Sequence, residues 1–449
     1  FMKLFGIIPI AAGASRGSLK AINEMLLQGE VVCLFPEGAI SRNGHLGKFH
    51  AGYERTIESV DGVIIPFYLR GLWGSAFSRS SEKLREIRTT GLKRDLIVAF
   101  GDPLPLSTKA DALKQKVFEL SSSAWDQYTQ GLDTLANAWI KTAKRESGKN
   151  FVADSEAEPV SYRRTLAATL AFSQVISKQS CEQNIGLILP ASSAALITNM
   201  AVLINGKTCV NLNYTAATSA VKGSIASAEL GSVYTSRRFV KKLQQRAIDI
   251  DTMLEGLNII YLEDLKAGLP KWRLLLALAF TYLPASLIAL LWVKSRQLND
   301  PAAILFSSGS EGTPKGIVLS HRNILGNSKQ ISDVLNFRED DVIVGCLPPF
   351  HSFGLTVTTM MPMIEGLPVV CHPDPTDVLN VAKAICRQRA TILLGTATFL
   401  RLYARNKRIS PLMLESLRVV IAGAEKLPES VRLSFQAKFN INILEGYGA

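Results

Sequence analysis

Short apolar runs recur along the chain at residues 31–35, 63–67, 96–100, 185–189, 302–306, 391–394 and 419–422. Each has the length of a β-strand and is bounded by turn-forming residues. Helix-length amphipathic stretches lie between them, and that alternation predicts α/β sheets throughout. Residues 141–160, KTAKRESGKNFVADSEAEPV, are polar, charged and weakly periodic, which puts the main boundary there. The expected organisation is a first α/β domain at 1–125, a linker and the start of a second domain at 126–160, and a second α/β domain at 161–449.

One stretch breaks this pattern. Residues 274–293, LLLALAFTYLPASLIALLWV, run for 20 positions without a charge, between Lys271 and Arg273 on one side and Lys294 and Arg296 on the other. As a single helix it would reach about 30 Å, the thickness of a bilayer's hydrocarbon core. Pro284 stands at its middle and both flanks are basic, so a bent hairpin dipping into one leaflet fits as well as a span. A buried pair of core helices is the alternative. The expectation is a membrane-contacting insertion at 271–296.

Composition narrows the class. The 449 residues are 47% apolar and 20% charged, too apolar for a disordered polypeptide and long enough for two or three domains. Fifty Lys and Arg against 38 Asp and Glu leave a net charge of +12, which suits acidic partners such as phospholipid headgroups and nucleotides. The six cysteines form no C-x-x-C pair and read as core thiols of a reducing compartment. No Cys/His cluster has zinc spacing, which excludes zinc fingers and metalloproteases. The chain opens on Phe without a secretory signal and closes on a strand-like run entering a turn, the expected look of a fragment cut at both ends.

Two constellations carry chemistry. In the first, residues 31–47 read VVCLFPEGAISRNGHLG: an apolar run stops at Pro36 and hands over to a turn holding Glu37, Gly38, Ser41 and Arg42. A small-residue turn at a strand's C-terminal edge offers backbone N–H groups to phosphate oxygens, and Arg42 can add a bidentate grip. A plain surface turn with a solvated arginine has the same letters. With VIIPFYLRG downstream, and GIIPI and Arg16 upstream, residues 1 to about 105 resemble the glycerolipid acyltransferase family. That resemblance implies that Glu37, Gly38, Ser41, Arg42 and Arg16 bind the phosphate of a lysophospholipid acceptor. Arg16 stands further from the strand than the family arginine usually does.

The family's catalytic pair is a His and an Asp five positions apart, upstream of FPEG, and none of the five His residues supplies it there. A literal match, HPDPTD at 372–377, lies far downstream and reads as a rigid strand-exit turn with Asp377 capping the next helix. The expectation is the phosphate-binding half of a site without its base, unable to transfer an acyl group alone.

The second constellation is AILFSSGSEGTPKGIVLSHRN at 303–323: a strand, then a loop with Ser307, Ser308, Gly309, Ser310, Gly312 and Thr313, then Lys315, then a helix. Small residues let backbone amides approach a polyphosphate, hydroxyls add donors, and Lys315 brings positive charge. It is not a Walker loop, because Pro314 and Gly316 stand where Gly and Ser or Thr would be required.

Here the chain resembles the adenylate-forming superfamily of acyl-CoA synthetases and their relatives. LPPFHSFGL at 347–355, GAEKL at 423–427 and EGYG at 445–448 follow in the family's order, and SYRRTLAATLAFSQVI resembles its first helix. The resemblance implies an α/β fold, ATP with Mg²⁺ as cofactors, and Lys315 and His351 as the catalytic pair. It also implies an adenine site from Gly423, Ala424, Glu425, Tyr447 and Gly448. No metal-ligand set is assigned. The family's Mg²⁺-binding Glu and ribose-binding Asp would fall beyond Ala449, so the chain alone is expected to adenylate slowly or not at all.

Together the resemblances imply an acyltransferase segment ahead of the N-terminal α/β part of an adenylate-forming enzyme. One part activates a fatty acid. The other delivers it, through acyl carrier protein or coenzyme A, to a lysophospholipid of the 2-acylglycerophosphoethanolamine type. The expected setting is a membrane surface, the cytoplasmic face of a bacterial inner membrane, with no nucleic acid as partner.

Overall fold

The structure, a computed structural model, describes residues 8, 15–89, 94–307 and 314–448. It divides into two compact units, Phe1–Gly131 with Ser332–Glu339, and Leu132–Ile331 with Asp340–Ala449.

The first unit opens with the helix Ser15–Leu27 and carries a two-stranded antiparallel sheet, β1 (Phe67–Arg70) against β2 (Ile97–Phe100), with Phe67 opposite Phe100. A long helix, Ala110–Gln130, buries Leu113 and Val117 in a small core with Phe49 and Tyr53. Over the same helix the Arg70 guanidinium sits 4.2 Å from the Trp125 ring and 4.3 Å from Tyr128, cation–π geometry that shelters a charge. Arg88 donates to the Asp333 carboxylate at 2.9 Å, and Asn336 accepts from the Ser81 N–H at 2.8 Å, which ties Ser332–Glu339 into this unit.

Two expected strands change. Residues 31–35 form no strand, and Val31 is 97% exposed: an apolar run becomes a strand only where a neighbour accepts its hydrogen bonds. The run at 63–67 contributes only the bridge Ile64–Leu104, and pairing resumes at Phe67, past Pro66, which has no N–H to donate.

In the second unit the chain first lays down β3 (Asn150–Asp154) and β4 (Val160–Ser161). A six-stranded sheet follows, from β5 (Asn184–Ile188), β6 (Thr208–Asn211), β7 (Ser232–Thr235), β8 (Asn258–Tyr261), β9 (Pro301–Ser307) and β10 (Lys315–Ser320), in the order β10-β9-β6-β5-β7-β8. All its pairings are parallel except β9 with β10. A seven-stranded sheet adds β11 (Ile343–Gly345), β12 (Val369–Cys371), β13 (Ile392–Gly395), β14 (Val419–Ala422) and β15 (Ile443–Glu445), ordered β15-β14-β13-β11-β12-β3-β4. It is parallel apart from β3 with β4. The central strands are buried along nearly their whole length, as strands of a parallel sheet covered on both faces are. This is the α/β class expected from the alternation.

The polar residues 141–160 hold the end of the helix Leu135–Arg145, then β3 and the start of β4; Trp139 just before the segment and Phe151 at its middle are fully buried. Residues 274–293 are not one helix. Lys271–Phe280 and Ala285–Trp292 are separate helices, with Pro284 at the N-cap of the second. Among the described residues no helix is long and apolar enough to cross a membrane.

Candidate functional site at the strand ends

The loop rich in Ser and Gly begins where β9 ends. Ser307 pairs with Lys315, so the loop closes an antiparallel hairpin and its two ends stand side by side. Ser308, Gly309, Ser310, Gly312 and Thr313 lie outside the described residues. The helix expected directly after the loop starts only at His321, because β10 intervenes; Ile317 and Val318 are β-branched and suit an edge strand. Ser307 and Lys315 are both exposed, placing a hydroxyl at the loop's entrance and an ammonium at its exit. Pro314 lies against the helix Thr218–Ser227, where a Cβ on Gly223 would come 3.4 Å from its ring.

Past β11, the turn Pro348–His351 sends two neighbouring side chains in different directions. Phe350 is buried, its ring edge-on to Tyr214 at 4.8 Å, within a core that also takes Ile304 and Phe306 of β9. His351 remains exposed, 4.6 Å ring to ring from Phe350, and the surrounding protein desolvates its imidazole and lowers its pKa. The imidazole is therefore neutral at pH 7 and can donate or accept a hydrogen bond. Gly354 closes the turn. A Cβ there would lie 2.1 Å from the Pro348 carbonyl oxygen, so no other residue fits. Phe353 then reaches Gly423, where a Cβ would come 2.9 Å from its ring.

Gly423 follows β14 and Gly446 follows β15, neighbouring parallel strands paired at Ala422 and Glu445, so both motifs leave the sheet on one edge. The Gly446 N–H donates to the Ala422 carbonyl at 2.8 Å, and the Gly423 N–H to Gly395 at 3.0 Å. Ala424 adopts a left-handed φ of 66° and swings Glu425 back over β13's exit. Glu425 accepts from the Thr398 N–H at 2.5 Å and from its hydroxyl at 3.1 Å. Burial works to raise the Glu425 pKa, but the hydrogen bonds from Thr398 and Thr396 outweigh it and hold the carboxylate below its ordinary value. Tyr447 is 97% exposed, a flat aromatic face beside Gly448. Exposed ring, glycine backbone and strand C-termini are the surroundings in which open parallel sheets hold nucleotides.

Shared packing thus joins the β9–β10 hairpin, His351 and the strands β14 and β15: Phe350 enters β9's core and Phe353 lies on Gly423. Tyr214, Phe353 and Thr398, which make the joints, belong to none of the site residues expected from the sequence. Tyr214 and Thr398 are signalled only by an aromatic or hydroxyl residue just beyond a strand end, and Phe353 only by its place in LPPFHSFGL. Among the described residues no group of three His, Cys, Asp or Glu is placed to hold a metal ion.

The turn in the first unit is stiffened from within. The Glu37 carboxylate accepts the Gly47 N–H at 2.7 Å. The Ser41 hydroxyl accepts from the Gly44 N–H at 2.9 Å and donates to the His45 carbonyl at 3.0 Å. Gly38 has φ 65°, a conformation that glycine adopts without strain, and His50 lies next to it. Arg42 is exposed, and Arg16 belongs to the first turn of Ser15–Leu27. Glu37 and Ser41 thus shape the turn from within, and Arg42 stands exposed on it. In the downstream HPDPTD, Asp377 caps the helix Val378–Gln388 by accepting from the Asn380 N–H, His372 Nδ1 lies 3.0 Å from the Ser155 hydroxyl, and His372 Nε2 lies 3.5 Å from the Asp377 carboxylate.

The AMP-binding enzyme family matches residues 139–449, and the acyltransferase family matches residues 1–70. A long-chain-fatty-acid–CoA ligase of Yersinia pestis is 24% identical over 344 residues, which is 72% of this chain and 60% of that protein. The chain therefore spans about three fifths of that relative's length. Among solved structures, ATP-bound MatB from Rhodopseudomonas palustris superposes with a TM-score of 0.55 at 23% identity, covering 70% of this chain and 59% of MatB. The anthranilate CoA ligase AuaEII in complex with anthranoyl-AMP gives 0.59 at 18% identity, covering 71% and 59%.

Proposed function

The chain belongs to the AMP-binding enzyme family, with an acyltransferase segment joined ahead of it, and we propose that it activates free fatty acids with ATP for delivery to a lysophospholipid. A fatty-acid carboxylate oxygen attacks the α-phosphorus of ATP, the bond to the β-phosphate breaks, and acyl-adenylate and pyrophosphate form. A thiol, of acyl carrier protein or of coenzyme A, then attacks the acyl carbon and AMP leaves. A hydroxyl of a 2-acylglycerophosphoethanolamine-type lysophospholipid finally attacks the thioester carbon; the ester C–O bond forms, the C–S bond breaks, and the thiol leaves carrying the proton. The proposed setting is the cytoplasmic face of a bacterial inner membrane.

The observation that carries the first step is the double anchoring of residues 347–355, with Phe350 in the core of the phosphate-loop strand and Phe353 on Gly423 at the adenine-side edge. Attack on the α-phosphorus gathers negative charge, which fixed donors must balance in the transition state. Lys315 at the loop's exit, the loop amides and neutral His351 are the donors this chain offers. Mg²⁺ accompanying the triphosphate would add positive charge there. The exposed Arg42 beside the stiffened FPEG turn supports an acceptor with a phosphate.

A second reading, a fatty-acid–CoA ligase whose acyltransferase-like segment only adapts it to membranes, is favoured by the similarity to the Yersinia ligase. One assay divides them. The full-length gene product, given Mg²⁺, ATP and labelled long-chain fatty acid, is expected to release pyrophosphate only with fatty acid and to place label in diacyl phospholipid only with lysophospholipid. Label that stops at acyl-CoA selects the second reading, and no fatty-acid-dependent pyrophosphate release defeats both.

A further inference from the structure

The helices Lys271–Phe280 and Ala285–Trp292 pack along the helices Leu135–Arg145 and Tyr162–Gln179, burying Ala277 and Ile288. Their opposite side is just as apolar and faces outward. Leu275 and Leu276 on the first helix are 66% and 45% exposed, and Leu290 and Leu291 on the second are 79% and 56% exposed. Spacings of three and four residues put Trp272, Leu275, Leu276 and Ala279 in one stripe, and Leu287, Leu290 and Leu291 in another. A globular surface seldom concentrates this many large apolar side chains.

Along the chain the hairpin and its immediate flanks carry charge of one sign, with Asp300 just beyond paired to Arg296 at 3.6 Å. Residues 265–299 contain five Lys and Arg and no Asp or Glu. Lys271 and Lys294 are exposed where the hairpin begins and ends. At its bend, Arg163 lies 4.4 Å over the Tyr282 ring and donates to its hydroxyl at 3.2 Å, while Lys144 donates to the Thr281 carbonyl at 2.6 Å. Positive charge thus stands at both ends of the hairpin, with the leucine stripes between. Trp272 and Tyr282, each more than half exposed, occupy opposite ends as amphipathic rings suited to a headgroup boundary. At 10 and 8 residues the helices reach only about 15 and 12 Å, too short to cross a bilayer.

We infer that this hairpin lies in the plane of an anionic lipid bilayer, its leucine stripes in the acyl region of one leaflet and its basic ends on the headgroups. A protein partner would have to supply an apolar groove ringed by acid, whereas an anionic leaflet supplies both properties over any area. The docking needs neither ATP nor acyl transfer, so its test and that of the proposed activity fail separately.

The test is co-sedimentation of the 449-residue chain with vesicles of phosphatidylethanolamine and phosphatidylglycerol, against phosphatidylcholine alone. The wild-type chain is expected to pellet with the anionic vesicles, and Trp272 fluorescence to be quenched by brominated acyl chains in a way that Trp272→Phe removes. Leu275→Glu with Leu290→Glu changes exposed side chains only, so melting should hold while vesicle partitioning falls at least about tenfold. Lys271→Glu with Lys294→Glu should weaken binding to anionic vesicles at least about tenfold and flatten the difference between the two lipids. Failure of the wild-type chain to pellet overturns the inference, as does undiminished pelleting of the leucine variant. Self-association that the leucine variant abolishes, without vesicle binding, would assign the patch to a second copy of the chain and overturn it too.

Discussion

His321 shows how much one buried side chain can contribute. Its Nδ1 accepts the N–H of Leu135 at 3.2 Å, completing the first turn of the helix Leu135–Arg145. A backbone amide only donates, so this nitrogen is unprotonated. Burial, with Arg296 nearby, pushes the pKa down to about 4 from 6.5 against the pull of Asp300. The unfolded chain therefore takes up a proton near pH 6.5 that the folded chain refuses until about pH 4, and stability falls as pH drops through that window. The urea midpoint at pH 5 is expected to reflect a loss of about 2 kcal/mol relative to pH 7, which His321→Asn removes. Gly354 is as demanding sterically: Gly354→Ala should cost about 2 kcal/mol or more in urea denaturation, since the Pro348 carbonyl occupies the space of a methyl group. Lys315→Ala tests the chemistry. Fatty-acid-dependent pyrophosphate release by the full-length gene product should fall about 10²–10³-fold with the melting temperature unchanged, because the side chain is exposed.

Among elements, the starts of three strands are fastened by one carboxylate. Asp341, 1% exposed ahead of β11, accepts from the Thr391 hydroxyl at 2.8 Å before β13 and from Arg418 Nη2 at 2.5 Å before β14. Asp341→Ala leaves the Arg418 charge half-buried without this partner, and a loss of about 3 kcal/mol in urea denaturation is expected, less for Asp341→Asn. Elements also show where a one-dimensional pattern stops being informative. The runs at 185–189, 302–306, 391–394 and 419–422 became β5, β9, β13 and β14, since each is apolar on both faces and finds at least one parallel neighbour. The run at 31–35 is equally apolar and is no strand, because pairing partners are not written in the run itself. β10 is hard to see in the letters for a related reason. Its residues, KGIVLS, sit between a loop signature and a helix, and only the hairpin with β9 makes them a strand.

At the scale of the whole molecule, thiol chemistry offers a check on the interior. Cys209, Cys346 and Cys371 are the core thiols expected from the sequence, whereas Cys33, Cys181 and Cys386 are exposed against that expectation, and none of the six is paired. A thiol reagent should label the exposed three in the native chain and the buried three only after denaturation, and a reductant should leave the melting temperature unchanged.

The motifs around Glu37, Lys315, His351, Gly423 and Tyr447, and the α/β class itself, are legible in the amino-acid sequence because they depend on local chemistry: residue type, spacing, and the length of apolar runs. What required the folded chain was everything set by distant contacts. The grouping of Ser332–Glu339 with the first unit rests on Asp333 and Asn336 meeting Arg88 and Ser81, more than two hundred residues away. The joining of His351's turn to both sheets rests on Phe350 and Phe353 finding Tyr214 and Gly423. Likewise the 20 uncharged residues stand out as a stretch, but which leucines face protein and which face outward was decided by packing against two helices. Burial is a property of neighbours in space, and neighbours in sequence specify it only where a single element forms the contact by itself.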